Sequence, residues 1–199
     1  MLQITAHDID RALACLQNGG VIVFPTETSY GIGCDATNAD AVARVFTIKG
    51  RPDDKGTPLI IPDIESALMF IKVSDKAREL MDKYWPGALN IIGPVAINSP
   101  VSDKCSQDST QSVRVSSHPF CATLARRLGK PIVASSANIS GQDAIYSIEE
   151  VNNIFSQSPD KPDCVIDGGN LPNLPASTTV KVIGDNVEIV RQGSVEIES

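Results

Sequence analysis

Apolar residues along this chain recur in two patterns, one typical of amphipathic helices and one typical of buried strands. Ile9, Leu13 and Leu16 are spaced as one face of a helix, which predicts a helix over residues 8–18. Short, continuous apolar runs such as residues 21–24 predict strands that are buried on both faces. Further helices are predicted near residues 38–48, 64–71, 75–84, 120–128 and 147–155, and further strands near residues 58–61, 89–92, 113–115, 131–134, 164–167, 178–183 and 187–191.

The order of these elements predicts an α/β fold built on a twisted mixed sheet with flanking helices. Helices and strands alternate early in the chain, whereas the last three strands follow one another and suggest a closing meander. Two polar stretches, residues 25–31 and 94–110, are predicted as a turn and a loop. No segment rich in Pro, Ser and Gly divides the chain, so a single domain over residues 1–199 is expected.

Composition and charge narrow the class of protein. The chain is 42% hydrophobic and 21% charged, as in an ordinary globular protein. No apolar run is long enough to cross a membrane, and the N-terminus lacks the pattern of a secretory signal, so a cytoplasmic protein is expected. The formal net charge of -7 argues against a broad basic face for nucleic acid, although it leaves room for a local basic pocket.

Cysteine and histidine usage argues against a metal or disulfide framework. The five cysteines are scattered and odd in number, and no two of them form a Cys-x-x-Cys motif. The chain has two histidines, His7 and His118, which are too few to complete a zinc site with those cysteines. Free and mostly buried thiols are therefore expected, with no metal held by protein side chains.

The first cluster of residues suited to binding or catalysis follows the predicted strand at residues 21–24. Hydroxyls at Thr26, Thr28 and Ser29 surround Glu27 at the carboxyl end of a buried strand, where open α/β sheets bind ligands. The cluster favours recognition of a small polar ligand, with a glycine-rich turn as the alternative. Its Gly-x-Gly-x-x-Ala segment at 31–36 resembles a dinucleotide fingerprint, but the glycines come too late after the strand to support NAD binding.

The second cluster places Lys49 and Arg51 two residues apart at the end of a helix. Cations there complement the helix dipole, which is one explanation for them. The alternative is a clamp on phosphate, in which arginine offers a planar fork and lysine a mobile point charge. Asp53 and Asp54 follow at once, and would either screen these cations or help to place Mg2+ near the phosphates. The chain has no Walker A motif, so a nucleotide would have to bind without a P-loop.

The third cluster, residues 135–141, also follows a buried strand. Its serine and asparagine side chains are explained either as helix and turn caps or as neutral donors aimed at phosphate or carboxylate oxygens. Two arginines, Arg114 and Arg191, lie in strand-like segments elsewhere. A strand arginine is usually solvated, but two of them together with Lys49 and Arg51 make a converging anion pocket plausible.

Taken together and in this order, the clusters resemble the YrdC/TsaC family of threonylcarbamoyl-AMP synthases. The resemblance extends from about residue 5 to residue 193 and matches the short, single-domain form of the family. Five segments in register carry it, namely Pro25-Thr26-Glu27-Thr28 with Tyr30 to Asp35, Lys49-Gly50-Arg51-Pro52, Tyr84-Trp85-Pro86-Gly87, Val113-Arg114-Val115 with His118-Pro119, and Ser136-Ala137-Asn138-Ile139-Ser140-Gly141. One departure is Ser116-Ser117, which stands where relatives vary.

The resemblance implies a fold, an activity and a set of partners. The fold would enclose a deep basic cavity within the twisted sheet. The activity would be that of a nucleotidyltransferase that makes threonylcarbamoyl-AMP and pyrophosphate from L-threonine, bicarbonate or CO2, and ATP, with Mg2+ expected beside the ATP. Partner proteins would then transfer the threonylcarbamoyl group to an adenosine of certain tRNAs, and direct contact with RNA is also possible.

The same resemblance assigns roles to residues whose positions match the family motifs. For catalysis and for holding the ATP phosphates, it implies Lys49, Arg51, Ser136 and Asn138, with Arg191 on the nucleotide side. For threonine, it implies Thr26, Arg114 and Ser177. The sequence offers no Ser/His or Cys/His pair for covalent catalysis, so positioning and charge stabilisation would do the chemistry.

Two other functions stay open at this stage. The first is that of a paralogue of the YciO type, which is similar in sequence and has been linked to RNA rather than to this synthesis. The second is a non-catalytic module that binds double-stranded RNA or tRNA through the same cavity. The Lys49, Arg51, Ser136 and Asn138 set favours retained catalysis, and the acidic net charge argues against a wide RNA surface.

Overall fold

The computed structural model describes residues 1–198, which fold into two mixed β-sheets with helices packed around them. The α-helices are α1 (Ile9–Gln17), α2 (Ala39–Lys49), α3 (Asp75–Tyr84), α4 (Pro119–Leu128) and α5 (Ile148–Ser156). The strands are β1 (Leu2–Thr5), β2 (Ile22–Pro25), β3 (Tyr30–Gly33), β4 (Leu59–Ile60), β5 (Leu89–Pro94), β6 (Thr110–Arg114), β7 (Ile132–Val133), β8 (Ser135–Ser136), β9 (Cys164–Asp167), β10 (Thr178–Ile183) and β11 (Asn186–Arg191).

The strands divide between the two sheets in a non-sequential order. The first sheet runs β1-β9-β2-β3-β8 and the second runs β11-β10-β5-β6-β4-β7. Each sheet combines parallel and antiparallel pairs, for example β2 with β9 (parallel) and β2 with β3 (antiparallel). The predicted mixed α/β class is thereby confirmed, with its strands in two sheets.

Helix faces and the apolar strands form the core. In α1, Ala12 and Leu16 are buried, as the helical spacing predicts, and they pack with α4 against Ile22 and Phe24 of β2. A larger cluster, which includes Tyr30, gathers α2, α3 and α5 around strands of both sheets. Because β2 and β3 are buried on both faces, the turn between them is held rigidly at the end of the first sheet.

The stretch predicted as a turn at 25–31 is only in part a turn, because Tyr30 begins strand β3. Tyr30 and Ile32 are fully buried, and Gly33 lets the neighbouring strand approach closely. A Cβ atom on Gly33 would lie 1.6 Å from the carbonyl oxygen of Val133. The glycines of the dinucleotide-like segment therefore serve strand packing and do not open a helix, which argues against NAD binding.

Other predicted elements differ in detail from the structure. The prediction that the last three strands form a meander is wrong for β9, which lies between β1 and β2 in the first sheet. The other two, β10 and β11, form a hairpin in the second sheet. Strand β1 has no strong apolar pattern and was not predicted. Residues 65–69 form a 3-10 helix, and all five cysteines are free. No helix within residues 1–198 has the length and apolar character needed to cross a membrane.

Candidate active site

A cavity of about 310 Å³ opens where the ends of both sheets meet. Three arginines line it, and the part of its wall within residues 1–198 contains no carboxylate. The described wall therefore carries positive side chains without acidic ones, a distribution that suits an anionic ligand. The other lining residues are hydroxyl, amide and small side chains, namely Thr26, Thr28, Ser29, Tyr30, Gly31, Pro58, Asn90, Ala134, Ser135, Ser136, Asn138, Gln142, Ala144, Ala176 and Ser177.

The turn between β2 and β3 is built around the hydroxyl of Thr26. This hydroxyl donates to the carbonyl of Ser29 at 2.7 Å and accepts from the main-chain N–H groups of Thr28 and Ser29. Tyr30 fixes the other end of the turn, since its hydroxyl donates to the carbonyl of Gly169 at 2.9 Å. Burial raises the pKa of Tyr30 to about 12, so the phenol stays protonated. The turn thus presents a rigid, neutral and polar edge to the cavity.

Arg114, at the end of β6, is buried but still contributes to the cavity wall. Its Nη1 donates to the hydroxyl of Ser177 at 2.5 Å and lies 3.4 Å from the Oε1 atom of Glu27. The other carboxylate oxygen of Glu27 accepts a hydrogen bond of 2.6 Å from Ser116. Burial opposes ionisation of Glu27, but the Arg114 charge and the Ser116 hydrogen bond outweigh it and lower the pKa of Glu27. Glu27 is therefore an ionised partner that stands behind Arg114.

Arg191 approaches the same serine from the other side. Its Nε and Nη2 atoms donate to the main-chain carbonyl of Ser177 at 3.1 and 2.8 Å. Burial and the nearby Arg114 charge both lower the pKa of Arg191, although an arginine remains charged at any ordinary pH. Ser177 therefore joins two guanidinium groups at one end of the cavity.

Arg51, just after the end of α2, also lines the cavity. Helix α2 ends at Gly50, which has a left-handed φ of 58° and redirects the chain. The guanidinium of Arg51 donates to the carbonyls of Lys55 and Gly56. It lies 5.8 Å from the centroid of the Phe46 ring, and burial lowers its pKa.

Lys49 reaches the predicted serine–asparagine turn, but through main-chain atoms. Its ammonium donates to the carbonyls of Ser136 and Asn138. Burial, with a further contribution from the Arg51 charge, lowers the pKa of Lys49 to about 8. Lys49 does not belong to the described wall of the cavity, whereas Ser136 and Asn138 do.

The aspartates that follow Arg51 do not face the cavity. Asp53 and Asp54 are exposed, and Asp53 forms an ion pair with Lys104 at 2.5 Å. Neither aspartate belongs to the described wall of the cavity. No group of three or more His, Cys, Asp or Glu side chains within residues 1–198 is arranged to hold a metal ion.

Most of the predicted site residues meet in this one cavity. Thr26, Arg51, Arg114, Ser136, Asn138, Ser177 and Arg191 all line it. Sequence reasoning missed the role of Glu27 as the partner of Arg114, and it also missed Asn90. A polar Asn90 between the buried apolar residues of β5 was a visible signal. The pairing of Glu27 with Arg114 had no local signal, because the two residues are far apart in the chain.

Comparison with known proteins gives a consistent result. A family model named for Sua5, YciO and YrdC, and described as telomere recombination, matches residues 14–193. The chain is 40% identical over 155 residues to the threonylcarbamoyl-AMP synthase of Pseudoalteromonas translucida (strain TAC 125), and the match covers 75% of this chain and 81% of that protein.

Two solved structures have a similar fold. Sua5 of P. abyssi, crystallised with L-threonine, matches with a TM-score of 0.86 and 31% identity over 96% of this chain. This chain spans 56% of that Sua5 chain. YciO of E. coli matches with a TM-score of 0.85 and 25% identity, and the match covers 98% of this chain and 95% of the YciO chain.

Proposed function

This chain belongs to the Sua5/YciO/YrdC family, and on that premise we propose that it is a threonylcarbamoyl-AMP synthase. The enzyme is a nucleotidyltransferase that uses L-threonine, bicarbonate or CO2, and ATP to make threonylcarbamoyl-AMP and pyrophosphate. The observation that carries the proposal is the convergence of Arg51, Arg114 and Arg191 on one cavity whose described wall has no carboxylate. ATP is an anion and threonine carries a carboxylate, so this distribution of charge suits both.

We place threonine at the end of the cavity formed by Thr26, Arg114 and Ser177. Arg114 contacts Ser177 and Glu27 through the same nitrogen, Nη1, so its Nη2 edge remains to pair with a substrate carboxylate. The neutral turn around Thr26 lies beside it and suits a hydroxyl and an amine. The threonine complex of the related P. abyssi Sua5 supports an amino-acid site in this fold.

We place the ATP phosphates between Arg51, Arg191 and the loop that carries Ser136 and Asn138. Two guanidinium forks suit a chain of phosphates, and serine hydroxyls add neutral donors. Mg2+ enters this proposal as part of the substrate, bound to ATP. The described cavity wall offers no carboxylate to such an ion, so phosphate oxygens and water would be its ligands.

The proposed chemistry needs positioning more than covalent catalysis. The threonine amine forms a bond to the carbon of CO2 and loses a proton, which gives a carbamate. A carbamate oxygen then attacks the α-phosphorus of ATP, and the bond from that phosphorus to the bridging oxygen breaks as pyrophosphate leaves. The arginines offset the negative charge that gathers at the phosphates, and a partly closed cavity limits hydrolysis of the carbamate and the mixed anhydride.

The product is a reactive mixed anhydride, so the proposal includes partner proteins that pass the threonylcarbamoyl group on to tRNA. A cytoplasmic location belongs to the same proposal, since ATP and tRNA are both available there. The net charge of -7 and a cavity of about 310 Å³ favour small substrates over a duplex as the occupant.

Pyrophosphate release from ATP and bicarbonate, measured with and without L-threonine, tests the proposal. Release that depends on threonine, together with threonylcarbamoyl-AMP detected by mass spectrometry, is the expected result. Absence of turnover combined with salt-sensitive retention of RNA would instead support a binding function such as that considered for the YciO branch.

A further inference from the structure

Lys49 differs from the arginines of the site because its ammonium group does not form part of the described cavity wall. The residue is only 2% exposed and lies behind the cavity wall, whereas Arg51, two residues later, forms part of that wall. Its ammonium donates to the carbonyl of Ser136 and, at 2.6 Å, to the carbonyl of Asn138. Two of the three ammonium hydrogens are thereby committed to main-chain oxygens.

The loop at residues 136–140 takes several of its main-chain hydrogen bonds from Lys49. Besides the two carbonyls that the ammonium binds, the N–H of Ser140 donates to the carbonyl of Lys49 itself at 2.8 Å. A buried carbonyl without a partner costs free energy, and regular secondary structure supplies none beyond β8. One lysine thus supplies the partners for three polar groups of this loop.

The side-chain nitrogen of Asn138 is also committed to main-chain carbonyls. Its Nδ2 donates to the carbonyls of Ile139 at 2.9 Å and Gln142 at 2.7 Å, so both amide hydrogens are used within the loop. Because both partners are acceptors, the nitrogen has to face them. Ser135 and Ser136, at the start of this loop, both line the cavity, so their hydroxyls are side-chain donors that this stretch offers to a ligand.

We propose that Lys49 is a positioning residue, which holds the loop at residues 136–140 so that its serine hydroxyls face the phosphates, and which does not itself contact phosphate. The proposal rests on the proposed function in one respect, namely that ATP is the ligand at the loop. Lys49 lies outside the described cavity wall, so to reach a phosphate the ammonium would have to leave the two carbonyls that it binds, and that cost opposes direct contact. Arg51 and Arg191 would supply the cationic contacts instead.

Amide hydrogen exchange in the ATP-free protein tests the structural half of this proposal. Lys49→Met keeps the apolar stem and removes the donors, and Arg51→Met is the matched control from the cavity wall. We expect exchange at Ala137, Ser140 and Gln142 to be faster by about tenfold or more in Lys49→Met and unchanged in Arg51→Met. Unchanged exchange in a folded Lys49→Met protein would overturn the proposal.

The salt dependence of ATP binding tests the other half. Each direct ion contact with phosphate steepens the loss of affinity with rising salt, because salt screens such contacts. We expect Arg51→Met to flatten this dependence and Lys49→Met to leave its slope as in the wild type, even where affinity falls. An equal flattening in both variants would mean that Lys49 contacts phosphate directly, contrary to the proposal.

A measurement on the wild-type protein covers the case in which Lys49→Met does not fold. With labelled lysine, NMR couplings across the hydrogen bonds from Nζ to the carbonyl carbons of Ser136 and Asn138 should persist when a non-hydrolysable ATP analogue binds. Their loss on binding would show that the ammonium has moved to the ligand, against the proposal. Failure of the proposed function would look different from failure of the Lys49 proposal. The wild-type protein would then show no threonine-dependent turnover, although its loop in the ATP-free state behaves as described.

Discussion

The guanidinium of Arg114 donates a hydrogen bond of 2.5 Å to the hydroxyl of Ser177, a residue 63 positions later in the chain. The carbonyl of the same serine accepts two hydrogen bonds from Arg191. Ser177 therefore holds two guanidinium groups close together although their charges repel. An anion bound between them would relieve this repulsion, which is the electrostatic reason that this part of the cavity suits an anionic ligand.

Replacing Arg114 should weaken threonine binding and also destabilise the fold. In Arg114→Met, the lost charge-assisted contacts should cost about 1.5–3 kcal/mol of binding free energy, or roughly 10–150-fold in Kd for threonine. The substitution also leaves the buried carboxylate of Glu27 without its ion partner, which should lower the free energy of unfolding by about 3 kcal/mol. Calorimetric titration with threonine and urea denaturation measure the two effects.

The double variant Arg114→Met with Glu27→Gln separates these effects. Removing the unpaired charge should restore much of the stability, since Gln has the shape of Glu. Threonine binding should stay weak. A double variant that regains threonine affinity would contradict the assignment of Arg114 to the carboxylate.

Arg51→Ala should leave the protein folded but reduce threonine-dependent pyrophosphate release by about 10²–10³-fold, the usual effect of removing one preorganised donor. Lys104→Ala is the matched control, because the Lys104 ammonium also lies near the Phe46 ring, at 5.7 Å, but it pairs with Asp53 in an exposed position. We expect the control to release pyrophosphate at the wild-type rate. Normal turnover in Arg51→Ala would remove this residue from the phosphate site.

Acid should weaken the wild-type protein partly through Glu27. Its pKa in the folded protein is lowered from the ordinary value of 4.5, chiefly because Arg114 and Ser116 outweigh burial. The unfolded chain therefore binds this proton first as pH falls, so the stabilisation is complete above pH 4.5 and is lost as pH falls through the lowered pKa. Urea denaturation between pH 3 and pH 6 should show that the free energy of unfolding falls less steeply with falling pH in Glu27→Gln than in the wild type.

High pH should raise the free energy of unfolding through Lys49. Burial and the Arg51 charge lower its pKa from 10.5 to about 8, so its charged form costs stability when the protein is folded. Between about pH 8 and 10.5 the unfolded chain keeps the proton that the folded chain has released, and the free energy of unfolding should rise with pH. Urea denaturation across this range gives the free energy of unfolding of the wild type and of Lys49→Met, and the difference between the two isolates the effect. A difference that does not change with pH would contradict the lowered pKa.

Gly33→Ala should destabilise the fold without any change in the cavity's chemistry. The new Cβ would meet the carbonyl of Val133 at 1.6 Å, and neither strand can move away cheaply. We expect a loss of at least about 3 kcal/mol, at the upper end of overpacking effects. Ile32→Val, in the same strand, should cost only about 0.5–1.5 kcal/mol, and thermal denaturation of both variants makes the comparison.

Much of the fold could be predicted from local patterns, and the exceptions have physical causes. Helix α2 was predictable because apolar spacing, the Asn38 cap and the Gly50 terminator all agree. Strand β3 was not, because its glycines and tyrosine are typical of turns, and only the pairing with β2 and β8 makes them a strand. Strand β1 depends in the same way on its parallel partner β9, which comes much later in the chain.

The order and periodicity of the elements were enough to predict the mixed α/β class, and the resemblance of short motifs to a known family supplied the family and several of the residues that line the cavity. What each of these groups binds depends on tertiary packing. That packing divided the strands between two sheets, placed Glu27 behind Arg114 and directed the Lys49 ammonium to the carbonyls of a loop. The physical reason is that a buried charge must find partners, and partners so distant in sequence come together only when the chain packs.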